Sequence, residues 1–228
     1  MKPYQTIPIQ ESGEPLVPIA LEQFAVETPH PYQKLGANYG GKSPYYLRKT
    51  VLEALLQGQN YLQQQHPDWK IQIFDAYRPV MVQQFMVDYT FASLIQTQGL
   101  QREHLSPQQQ EILWEQVYQI WAIPNENPAT PPPHSTGAAV DITLVDETGH
   151  PLGMGGDIDE LSARSQPNYY AHSTNPIEIT YHQRRELLNQ IMSKAGFCRH
   201  LGEWWHFSLG DQMWAWQTQT AIARYGKV

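Results

Sequence analysis

Apolar residues recur at helical spacing in several stretches of the chain and alternate in others. Leu47, Val51, Leu55, Tyr61 and Leu62 fall near one helical face, which predicts an amphipathic helix across YLRKTVLEALLQGQNYLQQQ. Gly58 weakens that helix slightly. A second helix is predicted over VMVQQFMVDYTFASLI, where Pro79 sits at a possible start. A third covers SPQQQEILWEQVYQIWA, with Ser106 as N-cap, Pro107 at the first helical position, and Leu113, Val117 and Ile120 on the buried side. A fourth, TYHQRRELLNQIMSKAG, ends at Gly196.

Period-two alternation marks the strands. KIQIFDAY and AVDITLV both alternate and carry β-branched residues. EWWHFSL and MWAWQ read as aromatic strands. Residues 1 to about 44 are dotted with proline and lack a period, so they are expected to form a loop-rich arm wrapped on the core, with Gly40 and Gly41 in a turn. Residues 147–177 form a long irregular excursion, of the kind that is usually functional or disordered. Helices come early and strands cluster late, without βαβ alternation. That order predicts an α+β fold with an antiparallel sheet and helices packed on it. At 228 residues the chain suits one domain, taken as 1–228.

Charge and cysteine content narrow the function. A net charge of −7 argues against nucleic acid and anionic membranes as partners. The lone Cys198 excludes an intramolecular disulfide. No signal-like or membrane-spanning apolar run is present, so the expected location is the cytoplasm. The oligomeric state is not legible.

Three stretches carry candidate chemistry. In PPPHSTGAAVDITLVD, His134 and Asp141 bracket a run of small residues, either as ligands or as a turn cap and a strand start. The run is expected to leave room, at Ala138 and Ala139, for something small. In GEWWHF, Glu203 and His206 stand three apart. A strand sends such residues to opposite faces, so Glu203 must sit in the entering turn, or the strand must bulge, for both to reach one site. Two histidines and an aspartate give the N/O ligand count of a catalytic zinc, which keeps one position open for water. Glu203, not needed as a ligand, is placed to act as base. In FDAYRP, Arg78 ends a strand, either ion-paired with Asp75 or aimed at an oxyanion. The remaining histidines are read as surface or loop residues, and Trp204 and Trp205 as core and cleft wall.

DAYRP, HSTGAAVD, MGGDID…ARS, QRRELL…IMSKAGF and EWWHF, in this order, resemble the zinc D-alanyl-D-alanine dipeptidases. These VanX-like enzymes of peptidase family M15 share a fold with other D,D-peptidases and the hedgehog signalling domain. The resemblance spans roughly residues 38–208. It implies one Zn2+ per chain on His134, Asp141 and His206, Glu203 as the catalytic carboxylate, and Arg78 as the carbonyl-polarising cation. It also implies Asp159 as anchor for the free amino group of a small dipeptide substrate, with Asp157 as a nearby competitor. The implied activity is hydrolysis of D-Ala-D-Ala. A D,D- or L,D-carboxypeptidase on peptidoglycan stem peptides and a non-catalytic binding module are the alternatives. One position departs: the family motif has serine two residues before the first histidine, where it is expected to help hold the substrate carboxylate, and here stands Pro132.

Overall fold

The computed structural model describes residues 2–228. Its centre is a five-stranded sheet built from β2 (Ala25–Val26), β4 (Lys70–Asp75), β5 (Ala139–Val145), β6 (Cys198–Arg199) and β7 (His206–Ser208), in the order β2-β4-β5-β7-β6. All neighbours run antiparallel except β2, which pairs parallel to β4 at the edge. The expected α+β architecture is observed, with that one parallel edge added. A separate antiparallel pair, β1 (Leu16–Pro18) with β3 (Tyr46–Arg48), comes largely from the arm that the sequence predicts as loop.

β5 alternates as its sequence suggests. Val140, Ile142 and Leu144 face the main core, while Asp141 and Thr143 face the other way. Yet every β5 residue is buried, because the 147–177 excursion and the candidate site cover the second face. Helices α2 (Lys49–Gln65) and α5 (Pro176–Lys194) close the core face, bringing Leu55 and Leu62 against Ile71, Ile142, Leu188 and Met192. Gly58 fits that packing: a Cβ on it would lie 3.1 Å from Met192 Sδ. α3 (Val80–Thr97) and α4 (Pro107–Ile120) pack together around a second cluster that includes Val82, Phe91, Val117, Trp121 and Tyr32, the last from the short helix α1 (Pro31–Lys34). Ser106 caps α4 by accepting from the Gln109 amide, as its sequence predicts.

Three sequence expectations fail locally. The predicted first helix begins only at Lys49, because Leu47 pairs with Val17 in the β1–β3 ladder instead of joining the helical face. MWAWQ is not a strand but the short helix α6 (Gln212–Gln217), because Asp211 caps it by accepting from the Trp214 amide. In EWWHFSL only His206–Ser208 is strand, and Glu203 lies in the bend before it, as one face for both residues required. No helix among the described residues is long and apolar enough to cross a membrane.

Candidate metal centre and substrate pocket

Sheet register creates the site. Asp141 on β5 pairs with Asp75 on β4 and with His206 on β7, so three polar residues stand in a row across three strands. Strict alternation would place Asp75 on the same face as Ile73, in the apolar core. The register shifts between Ile73 and Asp75, so that Ile73 pairs with Ile142 while Asp75 pairs with Asp141. One extra residue re-aims the carboxylate away from the core, as β-bulges near functional sites do.

His134 arrives from the loop before β5. A 3-10 turn, Pro133–Thr136, follows Pro132, and Gly137 reverses the chain at φ 70°. Gly137 also offers its carbonyl to the Arg48 amide, and a Cβ on it would meet Leu16 Cδ2 at 2.2 Å. Close approach and positive φ together call for glycine. Ala138 and Ala139, expected to clear space for a ligand, are instead fully buried and do not line the pocket. The small residues serve packing beneath the site.

The donor atoms of His134, Asp141 and His206 lie within 4.8 Å of one another, and all three residues are buried. His134 Nε2 is 3.1 Å from His206 Nδ1 and 3.2 Å from Asp141 Oδ2, and His206 Nδ1 is 3.0 Å from Asp141 Oδ1. The other ring nitrogens are occupied. His134 Nδ1 donates to the Ala76 carbonyl at 2.7 Å with Asp75 Oδ2 at 3.4 Å, and His206 Nε2 lies 3.3 Å from Ser208 Oγ. This fixes which nitrogen each ring turns inward, as outer partners do at metal sites. The two imidazoles and their hydrogen bonds hold Asp141 well below the usual carboxylate range, despite burial that acts the other way. Two imidazole nitrogens and a carboxylate oxygen at about 3 Å separations fit a tetrahedral zinc, whose bonds of about 2.0–2.2 Å require such spacing.

Around this cluster sit the other residues singled out by sequence. Glu203 Oε2 is 3.9 Å from His206 Nδ1, and Glu203 Oε1 is 3.4 Å from His200 Nδ1. Burial raises its carboxyl to about 8, with His206 pulling down and Asp141 pushing up. A cation held by the three donors would draw it lower. Arg78 is both ion-paired and in the pocket. Its Nε donates to Asp75, its Nη1 to Gln83, and its Nη2 to the Tyr32 hydroxyl and Asp141, while Tyr32 and Trp121 each lie 4.9 Å from its guanidinium carbon. Asp159, at φ 64°, accepts from the Tyr32 hydroxyl at 2.8 Å. Burial, then the charge of Asp141, lifts it to about 7. Asp157 is exposed in the preceding turn and does not line this pocket, so it is not brought to the cluster.

The bland reading of the other histidines fails at two positions. His30 is buried with Nε2 3.1 Å from Asp75 Oδ1, and His200 lines the pocket. Burial, reinforced by the charge of His206, depresses His200 to about 3, so it is neutral at pH 7. Tyr32, Lys2 and Tyr4 also reach the pocket region without any sequence signal, since each comes from an element remote in the chain, while His200 stands only three residues before Glu203. Trp205 forms pocket wall and Trp204 lies behind it under the 147–177 excursion, as core and cleft residues.

The chain is similar to several known proteins. The chain is 56% identical over 241 residues to the D-alanyl-D-alanine dipeptidase of Synechocystis sp., covering 100% of this chain and 97% of that protein. It is 46% identical over 77 residues to the D-alanyl-D-alanine dipeptidase of Escherichia coli, covering 33% of this chain and 37% of that one. Among solved structures, the vancomycin-resistance D,D-pentapeptidase VanY in complex with Zn(II) aligns with a TM-score of 0.45 at 16% identity, over 90% of this chain and 88% of VanY. The peptidase M15 family model, described as D-Ala-D-Ala dipeptidase, matches residues 25–224. On the strength of that match and of the full-length cyanobacterial relative, the chain belongs to the D-alanyl-D-alanine dipeptidase family of M15 peptidases.

Proposed function

We propose that the chain, acting as one catalytic domain, hydrolyses the D-Ala-D-Ala dipeptide to two D-alanines at a single zinc held by His134, Asp141 and His206. The observation that carries this reading is the convergence of those three donors beside the buried, unligated Glu203. A zinc ion there supplies Lewis acidity, polarising the scissile carbonyl and bringing the pKa of water towards neutrality. Glu203 takes the proton of the attacking water and passes it to the leaving amine. Arg78 is fixed by four side-chain partners, and only one Nη1 bond is used, by Gln83, so a second Nη1 N–H is free for the developing oxyanion. Asp159, with Tyr32, receives the substrate ammonium, whose charge stabilises the ionised carboxylate that burial disfavours.

A free-amine anchor favours a dipeptide over the stem peptides of a carboxypeptidase, because a longer peptide presents an amide at that place. Release of D-alanine is measured from D-Ala-D-Ala, N-acetyl-D-Ala-D-Ala and L-Ala-L-Ala by zinc-loaded protein. The free D,D-dipeptide alone should be cleaved, and Asp159→Ala should impair that cleavage. Preferential cleavage of the acetylated peptide would transfer the chain to the carboxypeptidases, and zinc binding without any hydrolysis would favour a binding role.

A further inference from the structure

The dipeptide is a zwitterion, and its carboxylate lacks an obvious partner. Pro132 stands where the family motif has serine, and it has neither hydroxyl nor N–H to offer. Neighbouring Ser135 does not substitute, because its Oγ donates to the Pro132 carbonyl at 2.7 Å and the residue is buried. Arg78 is ion-paired with Asp75 and Asp141, and its remaining Nη1 N–H is assigned to the oxyanion.

A second cation reaches the pocket. Lys2 lines it together with Glu203, His200, His206, Asp141 and Arg78. Lys2 pairs with no carboxylate among the described residues, and Glu203 lies beside His200 and His206 instead.

The segment bearing Lys2 is anchored. Its amide donates to Gln5 Oε1 at 2.9 Å and its carbonyl accepts from the Gln5 amide at 3.0 Å, closing the 3-10 turn Pro3–Thr6. Tyr4 in that turn is buried against the pocket. The turn packs on α6, where Gln212 Nε2 donates to the carbonyls of Ile7 at 2.6 Å and Ala129 at 3.0 Å.

Charge decides which end of the substrate Lys2 meets. In the dipeptidase reading Asp159 takes the ammonium, which leaves the anionic end for Lys2, a lining cation with no carboxylate partner among the described residues. With the ammonium at Asp159 and the scissile carbonyl at the donor cluster, the leaving D-alanine carries the free carboxylate. We propose that the Lys2 ammonium binds the C-terminal carboxylate of the dipeptide, in place of the serine hydroxyl that Pro132 does not supply. This rests on the dipeptidase reading above.

The test is steady-state kinetics of full-length Lys2→Met and Lys2→Arg on D-Ala-D-Ala and on D-alanyl-D-alaninamide, which has no carboxylate. The amide is measured as substrate or, if uncleaved, as competitive inhibitor. Lys2→Met should lose about tenfold in kcat/KM on D-Ala-D-Ala, through KM, with less than about a twofold change for the amide. Lys2→Arg should retain most of the wild-type preference, and all forms should keep wild-type zinc content and Tm. Equal losses on both compounds, or no loss on D-Ala-D-Ala, with wild-type turnover intact, would overturn the Lys2 assignment alone. Absence of wild-type turnover of D-Ala-D-Ala would overturn the dipeptidase reading, and this assignment with it.

Discussion

Arg185→Met is the most informative perturbation outside the pocket. Arg185, from the QRRELL stretch, lies on α5 and is fully buried without an ion-pair partner among the described residues. Its Nε donates to the Met154 carbonyl at 2.7 Å and its Nη1 to the Gln166 carbonyl at 3.0 Å. These carbonyls bracket the segment that carries Asp159. Tyr170 and Trp204 lie 5.0 and 5.2 Å from the guanidinium carbon. Methionine keeps much of the apolar stem and removes both clamps. Two hydrogen bonds from a charged donor contribute about 1.5–3 kcal/mol each. Burial pulls the Arg185 pKa from 12.5 to about 10, a desolvation cost that the substitution partly relieves. The net expected loss is about 2 kcal/mol, or about 4–8 °C in Tm for a chain of this size. Freed at both ends, the loop should hold Asp159 less well, raising KM for D-Ala-D-Ala about tenfold while kcat changes little. Thermal melts and D-alanine release measure both effects, and Arg185→Lys, with charge but a single donor group, should fall between. The decisive control is the pair with Asp159→Asn: if Arg185 acts through Asp159, Arg185→Met should raise KM little further in that background. Full additivity, or an unchanged Tm and KM in the single variant, would refute the clamp.

Two further outcomes are expected. Glu203→Gln should fold and retain zinc by elemental analysis while losing about 10²- to 10⁴-fold in kcat, the range for a positioned acid–base group; near-normal turnover would remove Glu203 from the proton transfers. Burial raises the Glu14 carboxyl, but hydrogen bonds from Thr50 and Tyr225 and the Arg48 charge outweigh it, leaving the pKa below the ordinary 4.5. A lowered folded-state pKa means stability that is present above pH 4.5 and lost as pH falls through the folded value. Tm against pH should therefore drop less steeply on acidification in Glu14→Gln, and identical acid limbs in both proteins would contradict this.

Local chemistry and periodicity were legible in the chain itself. The spacing of Val51, Leu55 and Leu62, the Ser106–Pro107 start and the stop at Gly196 specify helices by propensity and capping, which act within a few residues. The alternation of KIQIFD and AVDITLV specifies β4 and β5. His134, Asp141, Glu203 and His206 could be singled out because their donor types match one chemistry. MWAWQ misled because a short aromatic run satisfies strand and helix patterns alike, and the Asp211 cap decides between them. What sequence could not supply was anything set by contacts distant along the chain. The register shift that turns Asp75 out of the core depends on pairing with β5. Tyr32 and Lys2 enter the pocket region from two remote segments, and Ala138 and Ala139 turn away from it. The sequence by itself determined the elements and the identities of the reactive groups, since both follow from residue type and local spacing. Only the tertiary structure decided which face each group occupies and what surrounds it, because register, burial and charge environment arise from strand pairing and packing across the whole chain.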